Sequence, residues 1–148
     1  MKTLIYSILS ILLVTSCSTY SESEIDAFDK QIESYIKKNH LKLTKSNSGL
    51  YYKVVEKGDG NFIQLTDTVK FTYTGKLIDE TIFDQQKKPI QFKVKDLIAC
   101  WKEVILSNKE GSELFLISPP QLGYGDRKLD DIPENSILIF NLKIEKSF

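Results

Sequence analysis

The spacing of apolar residues alternates between helical and strand periods along this chain, and this order restricts the folds that it can adopt. From Glu24 to Asn39, apolar side chains recur at helical spacing. Beyond residue 48 the spacing falls to two, and β-branched and aromatic residues become frequent. Helical spacing returns between residues 97 and 105. An α+β domain, in which an antiparallel sheet packs against one short helix, accommodates this order of patterns.

The strand predictions rest on the alternation of apolar and polar residues. Val69, Phe71 and Tyr73 alternate with polar neighbours, which predicts a strand with one buried face. The segment Lys57–Gly60 is expected to form a hairpin turn after an earlier strand. The same reasoning predicts strands or short extended segments at residues 50–56, 81–84, 90–94, 113–118 and 137–145.

A short helix is predicted in the middle of this β-rich region. Its apolar residues fall at positions i, i+1, i+4, i+7 and i+8, namely Leu97, Ile98, Trp101, Val104 and Ile105. Asp96 is placed to cap the start of this helix. Cys100 lies in the same apolar stretch, so the pattern favours a small buried hydrophobic residue over a reactive thiol.

The N-terminal residues predict export and lipid attachment. After a lysine at position 2, the run from Leu4 to Val14 is apolar except for two serines, and it is shorter than the roughly twenty residues that cross a bilayer. A charged start, a short apolar run and small residues are typical of a secretory signal. The ending Val14–Cys17 resembles a bacterial lipobox, in which the cysteine is acylated and the preceding bond is cut. We therefore expect a signal peptide at residues 1–16 and lipid on Cys17, with an ordinary signal peptide or a signal anchor as the alternative.

Two accessory segments are predicted between the lipid site and the β-rich domain. Residues 17–23 are small, polar or acidic apart from Tyr20, and are expected to form a lipid-anchored tether. Residues 24–47 contain an amphipathic helix whose apolar stripe runs from Ile25 to Ile36. That stripe is expected to pack on its own domain, with a homodimer or another protein partner as alternatives. Residues 48–148 then form the main domain.

The residues present exclude several functional classes. Twenty basic residues balance twenty acidic ones, a composition that argues against nucleic-acid binding. The one histidine, His40, lies outside the β-rich domain, so a His-based catalytic triad and a His and Cys metal site lack their ligands. The acidic residues Asp130, Asp131 and Glu134 near a proline are typical of a solvated turn. We predict neither a metal nor a cofactor.

Eight short segments, taken in order, resemble the FKBP-type peptidyl-prolyl cis-trans isomerases. They are Gly49–Gly60, Tyr73–Gly75, Phe83–Asp84, Leu97–Trp101, Gly111, Leu122–Gly125, Ile132–Pro133 and Leu138–Phe140. The lipobox and the leading helix make the chain similar to bacterial membrane-anchored members, including lipoproteins associated with gliding motility. The resemblance implies a half-barrel of five or six antiparallel strands wrapped on a helix, with a proline pocket between them.

By motif position, the resemblance also implies an apolar catalytic pocket. Trp101 is expected at its floor, and the aromatic walls are expected to be Tyr73, Phe83 and Phe140. Leu97 and Ile98 are expected at the rim, where the family uses the backbone N–H at the Ile98 position to hold a ligand carbonyl.

The resemblance assigns further roles around this pocket. Tyr124 is expected to donate its hydroxyl to the substrate, and Asp84 is expected to be the polar group beside Phe83. The edge of the pocket is expected to be completed by Ile90 and Ile132.

The chain departs from the family pattern at several positions that bear on activity and affinity. Cys100 and Glu80 replace glycines, Gly123 stands where alanine is common, and Ile90 occupies a position that is often aromatic. The loop at residues 126–131 is shorter and more charged than the flap that covers the substrate in many relatives.

The resulting expectation is a prolyl isomerase that assists the folding of exported proteins. Its substrates are expected to be proline-containing polypeptides, and its location a periplasmic or outer-membrane surface. The alternative is a catalytically weak binding module of the same fold within an envelope or motility-associated complex.

Overall fold

A computed structural model describes residues 20–148, which form two helices and six strands. The helices are α1 (Glu22–Lys38) and α2 (Ala99–Leu106), and short 3₁₀ turns occupy Val94–Asp96 and Pro120–Leu122. The strands are β1 (Thr44–Lys45), β2 (Tyr51–Glu56), β3 (Thr68–Leu77), β4 (Ile82–Lys93), β5 (Glu113–Ser118) and β6 (Leu138–Ser147).

All six strands join one antiparallel sheet in the order β1-β2-β5-β6-β3-β4. One face of this sheet packs against α2, whose inward residues Cys100, Trp101, Val104 and Ile105 are buried in the main core. This arrangement confirms the predicted α+β fold, because the strand alternation supplies one apolar face and α2 covers it.

Helix α1 packs on the other side of the sheet. Ile32 is fully buried there in a second apolar cluster with residues of β2, β5 and the start of β6, namely Tyr51, Ile117, Ile137 and Ile139. The apolar stripe of α1 therefore lies on its own domain, which was the first of the three predicted alternatives. In the part of the chain that the structure describes, neither helix is long and apolar enough to cross a bilayer.

The tether prediction is wrong at its C-terminal end. Tyr20 is buried and α1 begins at Glu22, so the docked part of the chain starts earlier than expected. The reason is a capping box, in which the Ser21 hydroxyl accepts from the Glu24 backbone N–H while the Glu24 carboxylate accepts from the Ser21 N–H. The predicted signal peptide and the lipid site at Cys17 lie outside the described residues.

Two local predictions for the main domain are also wrong. Asp96 does not cap α2, because it belongs to the preceding 3₁₀ turn, and the N-cap residue is Ile98 without a side-chain bond. The segment Lys57–Gly60 does not form a hairpin, because β2 pairs with β1 and β5 rather than with β3. The segment instead packs closely against the loop that precedes β5. A Cβ on Gly58 would lie only 2.0 Å from the Glu110 carbonyl oxygen, so this approach requires glycine.

Strands β1 and β4 differ from the predicted segments. Thr44–Lys45 pairs with Tyr51–Tyr52, so the sheet begins before residue 48. The two extended segments predicted at 81–84 and 90–94 are joined into β4 across an irregularity that contains Pro89. Strand β4 lies at the edge of the sheet. Proline is tolerated in an edge strand because the backbone N–H that it lacks is not needed for pairing on the side without a neighbouring strand.

Candidate active site

Trp101, in the first turn of α2, lies at the centre of a cluster of aromatic rings from β3 and β6. Its ring centroid lies 4.8 Å from that of Tyr73, 5.2 Å from that of Phe71 and 5.1 Å from that of Phe140, each in an edge-on arrangement. Such edge-to-face pairs are favoured because the positive edge of one ring meets the negative face of another. Trp101 is 7% exposed, which is consistent with its predicted place at the floor of a pocket.

Phe83 reaches this cluster because Gly75 has no side chain. In the register of the sheet, Gly75 on β3 lies opposite Phe140 on β6 and opposite Asp84 on β4. A Cβ on Gly75 would lie 2.6 Å from the Phe83 ring and 2.9 Å from the Phe140 ring. The two rings meet edge-on over this gap, with centroids 5.7 Å apart. Gly75 therefore sets the geometry of one wall.

Asp84 is oriented by Tyr73, whose hydroxyl donates a hydrogen bond to the Asp84 carboxylate. Burial, followed by this hydrogen bond and the Asp84 charge, raises the pKa of Tyr73. The hydroxyl therefore stays protonated and remains a donor across the physiological range. The contact places one fixed carboxylate beside the aromatic cluster.

Tyr124 carries a hydroxyl that has no hydrogen-bond partner among residues 20–148, although the ring packs on the main core. Burial, followed by the electrostatic effects of Cys100 and Asp84, raises the pKa of Tyr124, so its hydroxyl stays protonated and can donate. A half-buried donor without a partner can bind a carbonyl oxygen of a ligand.

The start of α2 provides a second donor of this kind. The Ile98 carbonyl accepts from the backbone N–H groups of Trp101 and Lys102, whereas the Ile98 N–H donates to no group within the described residues. The N–H groups at the start of a helix have no intrahelical acceptor, which explains why this one is available. The indole N–H of Trp101 is also buried without a partner in this part of the chain.

The remaining predicted residues lie in the same cluster, but two of them are deeper than expected. Ile90, predicted at the edge, and Ile98, predicted at the rim, are partly exposed and pack against the core. Leu97 and Ile132, predicted at the rim and the edge, are only 8% and 6% exposed. Both side chains belong to the main core cluster, and their places at the rim and the edge of the pocket stay predictions.

Two residues with a clear structural role were not assigned one from the sequence. Phe71 packs edge-on against Trp101, as Phe140 does, and Gly75 permits the approach of Phe83. An isolated glycine inside a strand often marks a close approach of another group, so Gly75 could have been singled out. Phe71 was recognised only as an inward strand residue.

Cys100 takes no direct part in this arrangement. Its side chain is fully buried, and burial raises the pKa of its thiol to about 12. The thiol is therefore protonated and unreactive at neutral pH, in agreement with the predicted role as a small buried hydrophobic residue.

Residues 60–145 match the family model of the FKBP-type peptidyl-prolyl cis-trans isomerases. The FKBP-type isomerase FkpA of Buchnera aphidicola (subspecies Schizaphis graminum) is 39% identical over 106 residues, covering 69% of this chain and 42% of that protein. FkpA of Escherichia coli K12 is 34% identical over 136 residues, covering 86% of this chain and 50% of that protein.

The crystal structure of FkpA from Escherichia coli superposes with a TM-score of 0.74 at 33% identity, covering 84% of this chain and 61% of that chain. This chain thus spans about half the length of the curated relatives that it matches. The family model covers more than half of the chain, including β3 to β6, α2 and the aromatic cluster. The chain belongs to the FKBP-type peptidyl-prolyl cis-trans isomerase family.

Proposed function

We propose that this protein is a peptidyl-prolyl cis-trans isomerase that acts on proline-containing polypeptides. The observation that carries the proposal is an aromatic cluster around Trp101 beside two donors, the Tyr124 hydroxyl and the Ile98 N–H, which lack partners among residues 20–148. A proline ring is apolar and suits an aromatic surface, and the carbonyl groups that flank it are acceptors for the two donors. No acid, base or cofactor is needed for this chemistry.

The reaction rotates an amide bond and breaks no covalent bond. The barrier of about 18–20 kcal/mol reflects the resonance that is lost as the amide twists. A planar amide is more dipolar than a twisted one, so an apolar surface disfavours the ground state more than the transition state. Each ~1.4 kcal/mol of such preference gives about a tenfold higher rate.

Each side chain then has a distinct role in the proposed reaction. Trp101 supports the proline ring, and the Ile98 N–H holds a substrate carbonyl so that one end of the amide is fixed. Tyr124 donates to a second carbonyl. Asp84, held by Tyr73, places a negative charge beside the carbonyl carbon, which becomes electron-poor when conjugation is lost.

A protease-coupled isomerisation assay tests this function on the protein from Ser18 onward, using peptides with Leu-Pro and Phe-Pro bonds. The expected result is a rate of cis-to-trans conversion above the buffer rate and proportional to protein concentration. A folded sample that converts neither peptide faster than buffer removes the enzyme proposal. Binding of the same peptides without turnover would instead favour the binding-module alternative.

We further propose that the protein acts on exported polypeptides at a membrane surface, anchored by lipid on Cys17. The lipobox pattern supports the lipid, and the docking of Tyr20 on the domain supports closeness to the bilayer. Cys17 and Tyr20 are only three positions apart in sequence, a span of about 10 Å at full extension. Metabolic labelling with a fatty acid tests this: label is expected on the wild-type protein and absent from Cys17→Ala, and an unlabelled wild-type protein rules the anchor out.

A further inference from the structure

Tyr20 joins the segment before α1 to a distant loop of the main domain. Its hydroxyl donates to the Asn135 Oδ1 at 2.7 Å, across 115 positions of sequence. Its ring packs edge-on against Phe28 of α1, with centroids 5.3 Å apart. Tyr20 is thus held by α1 on one side while it contacts the main domain on the other.

Asn135 lies at the base of the loop that carries Tyr124, here called the Tyr124 loop (residues 123–135). The Asn135 N–H donates to the Gly125 carbonyl at 2.9 Å, and the Gly125 N–H donates to the Pro120 carbonyl at 2.9 Å. These bonds close the loop immediately beside Tyr124. The Tyr20 hydroxyl also lies 3.9 Å from the position that a Cβ on Gly125 would occupy, so it lies near both ends of the loop.

Ile132 anchors the later part of the loop in the core, whereas the segment before it has little that could hold it in place. Residues 126–131 are exposed, and within that segment the backbone bond from the Leu129 N–H to the Ile132 carbonyl is local. Segments with few buried contacts unfold locally most easily, so the position of such a loop depends on the hydrogen bonds at its two ends. Both Gly125 and Asn135 have left-handed backbone conformations, with φ of +65° and +58°, which Gly and Asn adopt more readily than other residues.

We propose that Tyr20 is a positioning residue for the isomerase reaction, holding the base of the Tyr124 loop so that the Tyr124 hydroxyl faces the pocket. This inference rests on the proposed function. It assigns a task in catalysis to a residue that precedes the family domain by forty positions in sequence. Burial, followed by the charges of Asp126, Glu24 and Glu134, raises the pKa of Tyr20, which keeps its hydroxyl protonated and able to donate.

The test begins with Tyr20→Phe, which removes the hydroxyl and keeps the ring on Phe28. Measured on the protein purified in mild detergent as the cell produces it, kcat/KM is expected to fall about two- to tenfold, the equivalent of one neutral hydrogen bond. If Tyr20 acts through Tyr124, then Tyr20→Phe causes no further loss in a Tyr124→Phe background. If the fold-loss of kcat/KM in the double variant instead equals the product of the two single losses, the inference is overturned.

Asn135 provides the matched pair of variants. Asn135→Gly keeps the left-handed backbone but removes the acceptor, and is expected to behave as Tyr20→Phe does. Asn135→Asp keeps an acceptor and is expected to retain activity. The control is Tyr51→Phe, which removes a hydroxyl that donates to Asp29 of α1 at 2.8 Å and has no hydrogen bond to the loop, and which should leave kcat/KM unchanged.

A second measurement is independent of activity. Arg127 and Lys128 lie in the Tyr124 loop, so the initial rate of trypsin cleavage there reports how often the loop opens. Cleavage is expected to be severalfold faster in Tyr20→Phe and Asn135→Gly than in wild type and Tyr51→Phe. Equal cleavage rates overturn the role of Tyr20 but leave the proposed function standing. The same holds if the wild type is active and Tyr20→Phe does not change kcat/KM. An inactive wild type overturns the proposed function, and the cleavage rates then decide by themselves whether Tyr20 holds the loop.

Discussion

The Tyr35 hydroxyl of α1 donates a hydrogen bond to the Glu80 carboxylate in the turn between β3 and β4. Glu80 has a left-handed backbone, with φ of +74°, a conformation that glycine adopts more readily than other residues. The Lys76 Nζ lies 3.0 Å from the same carboxylate. The left-handed conformation costs free energy for a residue with a side chain, and the contacts of the Glu80 carboxylate offset this cost. One of them, from Tyr35, requires that α1 is docked. The same turn precedes Phe83 and Asp84 in the sequence.

A double-mutant cycle tests this coupling. Glu80→Gly alone is expected to change the free energy of unfolding little, because relief of the left-handed conformation, about 1 kcal/mol, opposes the loss of the hydrogen bonds. In a Tyr35→Phe background the same substitution is expected to stabilise by about 1 kcal/mol. Urea denaturation of the four proteins measures the coupling, and additive effects would contradict it.

The Tyr35 and Glu80 contact also predicts a pH dependence. The hydrogen bond from Tyr35, followed by that from Lys76, lowers the pKa of Glu80 in the folded protein from its ordinary value of 4.5. A lowered carboxyl pKa contributes stability that is present above the unfolded pKa and is lost as the pH falls through the folded pKa. The destabilisation caused by Tyr35→Phe should therefore be full at pH 7 and shrink below about pH 4. Denaturation at several pH values measures this, and a penalty that stays constant down to pH 3 would be inconsistent with it.

Gly75 is expected to tolerate no side chain. Gly75→Ala forces a methyl group against the Phe83 and Phe140 rings, which should lower the free energy of unfolding by about 1–3 kcal/mol and reduce the isomerase rate. Gly123→Ala is the matched control, because its Cβ would meet the flexible end of Leu138 at 2.9 Å. Thermal unfolding compares the two variants, and the coupled assay compares Gly75→Ala with wild type. Equal losses of stability would show that the close approach at Gly75 is not decisive.

The donors and the carboxylate of the candidate site predict a graded series of activities. Tyr124→Phe should lower kcat/KM about two- to tenfold, as expected for one neutral hydrogen bond. Asp84→Ala should lower it further, because it removes both the charge and the acceptor of Tyr73. Asp84→Asn restores an acceptor without the charge and should fall between Asp84→Ala and wild type. If none of the three lowers kcat/KM, the assignment of these residues is wrong.

Trp101 is expected to matter for both folding and turnover. Trp101→Phe keeps an aromatic residue at the floor but removes ring area and the indole N–H that has no partner within residues 20–148. The loss of packing should destabilise the protein by about 1–3 kcal/mol. The rate should fall while peptide binding persists, since a smaller ring can still contact proline. Peptide titration followed by light scattering or anisotropy, alongside the coupled assay, separates the two effects.

Local pattern was sufficient for much of the fold. The apolar alternation located β3 and β5, the period of 3.6 located α2, and the ordered short motifs identified the residues that meet around Trp101. These features depend on neighbours only a few residues apart, because side-chain direction in a strand or helix follows from the local backbone. The capping box at Ser21 is equally local and could have been found from the spacing of Ser21 and Glu24.

Tertiary structure decided which segments lie side by side, and with that the finer geometry of the site. Strand β2 pairs with β5 rather than with its sequence neighbour β3, so the expected hairpin at Lys57–Gly60 does not form. Contacts between distant segments also bury Leu97 and Ile132, and they bring the Tyr73 hydroxyl within hydrogen-bond distance of Asp84. The sequence determined which residues can be buried or can donate a hydrogen bond, whereas their partners were chosen by contacts between residues far apart in the chain, whose energies no local pattern contains.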